Sequence, residues 1–141
     1  MLQRRLFLKA GLVGTTAPLV FNTISAQAGE NAGLNGALAG SVFYTTENPG
    51  RWAGKEKGHA PTIERTANNV EVTTGHEMRG FEHYIIKHQI FDGDFNYIEE
   101  KLFDPENDSP ITQHSIKGHS GQMYALSMCN KHDIWITGFK V

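Results

Sequence analysis

Cys129-Asn130-Lys131-His132 sets a thiol and an imidazole three residues apart, a spacing that lets one tight turn present both to a single metal ion. Two further histidines, His76 and His83, bracket the stretch Glu77-Met78-Arg79-Gly80-Phe81-Glu82. A fourth, His59, lies in the run Lys55-Glu56-Lys57-Gly58-His59-Ala60-Pro61. Any one of these histidines alone reads as a solvated or hydrogen-bonded side chain. Taken together at loop or strand-end positions, four imidazoles and a thiol point to one shared metal. Cys129 is the only cysteine, which excludes an intramolecular disulfide and any four-cysteine zinc or iron–sulfur cage. The other three of the seven histidines read as bystanders: His88 and His114 fall mid-strand, and His119 sits in a Gly-containing turn.

The elements that must position these donors are short and β-like. Segments 41–45, 70–74, 83–91, 95–103, 111–117, 122–128 and 133–140 are rich in Val, Ile, Tyr, Phe and Thr, the residues that suit a half-buried pleated surface. Asp92-Gly93-Asp94 and Gly118-His119-Ser120-Gly121 supply turns between them, and residues 104–110 form a longer polar loop. No stretch keeps a helical period. Seven short strands at this spacing predict an all-β, two-sheet sandwich. Residues 46–68 read as a long polar loop carrying Arg51, Lys55, Glu56, Lys57 and His59.

The first 28 residues read as an address rather than as part of the fold. Arg4-Arg5-Leu6-Phe7-Leu8-Lys9 matches a twin-arginine export pattern, a mildly apolar stretch follows, and Ala26-Gln27-Ala28 offers a cleavage site. The apolar stretch holds Pro18 and Asn22 and is too short and too diluted to serve as a membrane anchor. The predicted organisation is therefore a cleaved signal over 1–28, a flexible leader over 29–40 and one domain over 41–141, with a periplasmic destination. An exported lone thiol needs burial or ligation to escape oxidation. The whole chain of 141 residues has a net charge of −2, and removing Arg4, Arg5 and Lys9 makes the remainder more acidic. That balance excludes a nucleic-acid binder, which needs a concentrated basic face.

Beyond the donors themselves, the flanking residues resemble those of the superoxide reductases. Tyr124-Ala125-Leu126-Ser127-Met128-Cys129-Asn130-Lys131-His132, with Trp135 after it, is similar to that family's C-terminal signature. The stretch from His76 through Glu82-His83-Tyr84-Ile85 resembles its paired histidines before a strand, and Glu56-Lys57-Gly58-His59-Ala60-Pro61 resembles its E-K-H-x-P loop. The likeness covers residues 52–135 and fits the one-iron neelaredoxin class. The two-iron desulfoferrodoxins add a four-cysteine domain that a single Cys cannot furnish.

The resemblance implies an immunoglobulin-like β-sandwich and a mononuclear iron. The iron would be held by the imidazoles of His59, His76, His83 and His132 and the thiolate of Cys129. It also implies Glu56 as a carboxylate that can take the open position in the ferric state, and Lys57 as the catalytic lysine. The implied activity is one-electron reduction of superoxide to hydrogen peroxide, with a periplasmic electron donor and a homo-oligomeric state. Two departures stand out. Gly58 separates Lys57 from His59, which leaves open whether Lys55 or Lys57 serves and whether Glu56 binds, and the gap between His76 and His83 is longer than the pattern. Two other classes share some of these features. An exported cupredoxin-like electron carrier would need a Met after the Cys–His pair, and none follows His132. A structural-metal binding module would use the same donors for zinc.

Overall fold

The computed structural model describes residues 32–141, so the segment read as an export signal lies outside the described residues. A one-turn helix α1 (Glu56–His59) precedes seven strands: β1 (Thr62–Arg65), β2 (Asn69–Thr73), β3 (Ile85–Phe91), β4 (Tyr97–Leu102), β5 (Ile111–Ser115), β6 (Gln122–Cys129) and β7 (Asp133–Lys140). They form two antiparallel sheets, ordered β1-β2-β5 and β4-β3-β6-β7.

Strand alternation builds the space between the sheets. Val70 and Val72 of β2 meet Ile90 of β3, Met123 and Ala125 of β6, and Phe139 of β7 in one apolar cluster, with Ile63 of β1 and Ile98 of β4 at its rim. A register shift in β3 between Ile85 and Lys87 changes the phase of the alternation there. Ile85, His88 and Ile90 are all buried as a result.

β6 is apolar on both faces because both are covered. Its other face, Tyr124 and Leu126, packs with Ile136 of β7 and with Leu34. Leu34 is only 1% exposed and ends a short 3-10 turn (Ala32–Leu34) within the segment read as a flexible leader. Leu34→Ala is therefore expected to destabilise the fold by about 2–5 kcal/mol, as for other fully buried leucines, measured as a lowered denaturant midpoint at unchanged m-value. A shift no larger than that of an exposed substitution would show that this segment contributes nothing to the core.

Two of the three bystander histidines, His88 and His114, do structural work. His88 Nε2 lies 2.8 Å from Thr74 Oγ1, and Thr74 Oγ1 lies 2.8 Å from Ser127 Oγ. His88 Nδ1 is 2.9 Å from Thr112 Oγ1, which is 2.8 Å from His114 Nε2, and His114 Nδ1 lies 2.9 Å from Glu99 Oε1. This chain of polar groups links β5 and the end of β2 to β3 and β6 through the interior. Burial lowers the His88 pKa to about 3, with the neighbouring His114 a smaller cause, so His88 is a neutral hydrogen-bonding group.

Two sequence expectations change. The segment 41–45 is not a strand: Phe43 and Tyr44 make only isolated parallel bridges, Tyr44 to Trp135 at the free edge of β7. Conversely, β1 arises inside the stretch read as a polar loop. Its residues Thr62-Ile63-Glu64-Arg65 are mostly exposed, so they lack the hydrophobic alternation that marks a strand, and pairing with β2 holds them extended.

Candidate metal centre

Each donor sits where a regular element ends. Cys129 is the last residue of β6, and His132 belongs to the three-residue connection into β7. His76 follows β2 through the tight Thr74-Gly75-His76 turn, closed by a 2.7 Å hydrogen bond from His76 N–H to Thr74 O. His83 caps the 3-10 turn Gly80–Glu82, and His59 ends α1. A Cβ on Gly75 would sit 3.0 Å from Lys57 O, so this glycine lets the His76 turn approach α1 closely. Asn130 fastens the hairpin to the His83 segment: its Oδ1 accepts from Tyr84 N–H at 3.0 Å, and its Nδ2 donates to Glu82 O at 3.1 Å.

These positions bring five ligand atoms within 4.8 Å of one another, from His59, His76, His83, Cys129 and His132. His59 Nε2 lies 2.9 Å from His132 Nδ1, His132 Nδ1 lies 3.1 Å from His83 Nε2, and His83 Nε2 lies 3.0 Å from His76 Nε2. Cys129 Sγ is 3.6 Å from His132 Nδ1 and 3.9 Å from His76 Nε2.

Hydrogen bonding shows what this cluster is built to hold. His59 Nδ1 donates to Lys55 O at 2.9 Å, and His76 Nδ1 donates to Glu77 O. A carbonyl can only accept, so the Nε2 atoms of neutral His59 and His76 carry inward-facing lone pairs. The row His59–His132–His83–His76 then has an acceptor at each end and three contacts between. Donor and acceptor must alternate along it, and with both ends acceptors the alternation fails at one contact. Protonating an end histidine would repair it, but burial lowers the pKa of His76 and takes that of His59 down to about 4. The pKa values of His83 and His132 are lowered too, first by burial and then by neighbouring positive charge. One cation accepting a lone pair from each donor removes the conflict.

The carbonyls behind His59 and His76 are the outer partners that fix the tautomer of a metal-bound imidazole. Cys129 is 3% exposed, and burial pushes its thiol pKa up, while the Lys131 N–H donates to Sγ at 3.4 Å and opposes the shift. A bound metal would hold it as thiolate. Four imidazoles and a thiolate fit a mononuclear iron.

The charged loop divides. A cavity of about 330 Å³ beside the cluster is lined by Lys55, Gly58, Gly75, His76, Glu77, Arg79 and His83. Glu56 and Lys57 instead line a separate groove of about 600 Å³, with Arg65, Ile63, Phe139 and Lys140. Helical geometry explains the split. Lys55 stands four residues before His59 and shares its face, whereas Lys57, two residues before it, points to the other side. Glu56 Oε1 turns back to accept from Gly54 N–H at 3.0 Å. Sequence reasoning missed Trp52 and Asp133, which pack around His132. Trp52 meets the His132 ring edge-on at 4.7 Å, and its Nε1 donates to Asp133 Oδ2 at 2.9 Å.

Comparison with known proteins agrees with this arrangement. A superoxide reductase (neelaredoxin) from Ignicoccus hospitalis is similar in structure with a TM-score of 0.61 at 25% identity, over 72% of this chain and 95% of that one. A superoxide reductase from Giardia intestinalis shares the fold with a TM-score of 0.54 at 18% identity, over 61% of this chain and 100% of that one. Another from Treponema pallidum shares it with a TM-score of 0.50 at 24% identity, over 59% of this chain and 66% of that one. No match is found among curated protein sequences. Residues 51–138, which hold all five donors, match the desulfoferrodoxin family model, and on that match the chain belongs to the desulfoferrodoxin family.

Proposed function

We propose that this protein is a superoxide reductase, reducing superoxide by one electron, with uptake of two protons, to hydrogen peroxide. The observation that carries the reading is the five-donor cluster, four imidazoles and one thiol, beside a cavity large enough for a diatomic anion. His59, His76, His83, His132 and Cys129 would hold the metal. When bound, an iron held by thiolate and imidazoles supplies a one-electron reductant whose electron density the sulfur raises.

The chain's own groups do the rest. The Lys55 O and Glu77 O carbonyls orient the His59 and His76 rings. At the cavity Arg79 is held by Glu77, its Nε donating to Oε2 at 2.7 Å. Lys55 makes no ion pair among the described residues, which leaves its ammonium available to draw in an anion against the chain's net charge of −2. Because Lys55 lines this cavity and Lys57 lines the separate groove, Lys55 suits the cation's role at the mouth better than Lys57.

Further parts of the reading rest on sequence and topology. The strand orders β1-β2-β5 and β4-β3-β6-β7 support an immunoglobulin-like class of sandwich. The Arg4-Arg5 motif supports folded export to the periplasm. A periplasmic one-electron carrier would then restore the reduced state, and a homo-oligomer is the proposed assembly.

The test is metal content with the visible spectrum of the oxidised protein. About one iron per chain and a blue thiolate-to-ferric charge-transfer band are expected. Stoichiometric zinc or copper in freshly isolated native protein would overturn the iron reading, in favour of a structural site or a cupredoxin-like carrier.

A further inference from the structure

The backbone just past His132 adopts a conformation that most side chains avoid. Asp133 has φ 62°, in the left-handed region, where glycine is at ease and where Asp and Asn are the usual exceptions. The hairpin needs this conformation, because Cys129 pairs with Asp133 and only Asn130, Lys131 and His132 lie between. Glycine would meet the need at lower backbone cost, so the geometry of the turn does not by itself account for a carboxylate here.

The carboxylate has specific partners. Asp133 Oδ2 accepts from Trp52 Nε1 at 2.9 Å and pairs with the Arg51 guanidinium. Arg51 in turn lies over the Trp52 ring, 4.9 Å from its centroid. Trp52 stands edge-on against the His132 ring at an interplanar angle of 85°. On the other side, Trp135 Nε1 donates to His132 O at 2.9 Å and fixes the backbone of the same residue. His132 thus has its backbone held by one tryptophan and its ring plane by another, and Asp133 is what ties the second tryptophan in place. The Arg51–Asp133 ion pair is half open to water, with side chains 64% and 39% exposed, so the charge itself contributes little. The hydrogen bond to the indole is the part that sets geometry.

We infer that Asp133 is a positioning residue that acts through Trp52 to hold the His132 imidazole in its metal-binding orientation. The inference rests on the reading of the five-donor cluster as an iron site. It extends that site to the Trp52–Asp133 pair, which contributes no ligand atom.

The test uses iron-loaded protein and measures the rate at which an Fe(II) chelator removes the metal, together with the energy of the ferric charge-transfer band. Asp133→Gly relieves the left-handed backbone and removes the acceptor. Its unfolding midpoint is expected to hold or rise, while metal loss quickens by about 10- to 100-fold, matching the order by which losing an outer partner of a metal ligand lowers metal affinity. Asp133→Asn keeps an oxygen for the indole N–H and loses only the exposed ion pair, so its metal loss should stay within about fivefold of wild type. Trp52→Phe keeps an aromatic edge on His132 and removes the N–H. It should match Asp133→Gly, and the double variant should add nothing further.

Metal loss in Asp133→Gly and Trp52→Phe equal to wild type, with an unmoved band, would overturn the inference. So would an equal acceleration in Asp133→Gly and Asp133→Asn, because that would assign the effect to charge. Should wild-type protein take up no iron and show no band, the iron reading itself fails. Iron uptake with indifferent variants fails the positioning role alone.

Discussion

Replacing Cys129 by serine is expected to abolish both the blue ferric band and the reduction of superoxide, while leaving a folded protein. The sulfur lies 3.6 Å from His132 Nδ1 and 3.9 Å from His76 Nε2, as the one soft donor in a cluster otherwise made of imidazoles. A thiolate donates charge to the metal and gives the low-energy absorption. A serine hydroxyl at the same place is a hard, reluctant donor and gives neither. The fold should survive. Burying an unpartnered hydroxyl costs about 1–3 kcal/mol, but the Lys131 N–H that now donates to Sγ at 3.4 Å remains to meet the new oxygen. The measurement is the visible spectrum, metal content and superoxide consumption of Cys129→Ser beside wild type, with far-UV circular dichroism as the folding control. A band or an activity that persists in the variant would contradict the ligand role of the sulfur.

Why Cys129 and the histidines could be found from sequence, and their supports could not, is a question of distance along the chain. Cys129 and His132 declare themselves by a local spacing, and β7 matches its expected span because Asp133–Lys140 carries its own alternation of β-favouring side chains. β1 has no such internal signal. Ile63 is its one apolar residue, and its extended conformation comes from β2 beside it. Segment 41–45 errs the other way. Its Val, Phe and Tyr read as a strand, but Phe43 and Tyr44 pack against the outer face and edge of the four-stranded sheet and pair only as single bridges. Trp52 and Asp133 are 81 positions apart, so nothing in either neighbourhood announces their hydrogen bond. The lysine question was local and still undecidable by motif, because it turns on whether the residues before His59 are helical. Once Glu56–His59 forms a turn of helix, Lys55, four residues before His59, shares its face, and Lys57, two residues before it, is rotated away by roughly 160°.

That rotation makes Lys55 and Lys57 a direct comparison. In Lys55→Ala the second-order rate constant for superoxide should fall by about tenfold at low ionic strength, the lower end of what electrostatic steering contributes. In Lys57→Ala it should stay near wild type. Lys55 lines the cavity that also holds His76 and His83, and its positive charge acts on His132, whereas Lys57 faces the groove shared with Arg65 and Lys140. The substrate is an anion approaching a chain of net charge −2, so a single cation at the mouth counts for more than it would on a neutral surface. Salt separates steering from chemistry. The screening length drops from about 30 Å at 0.01 M to about 8 Å at 0.15 M. A steering deficit in Lys55→Ala must therefore shrink across that range, and a deficit constant with salt would place Lys55 at the reacting atoms instead. Pulse-radiolysis rates for both variants across ionic strength distinguish these results. A larger loss in Lys57→Ala at every ionic strength would mean that the loop rearranges when the substrate arrives and that the cavity geometry is not the one that meets it.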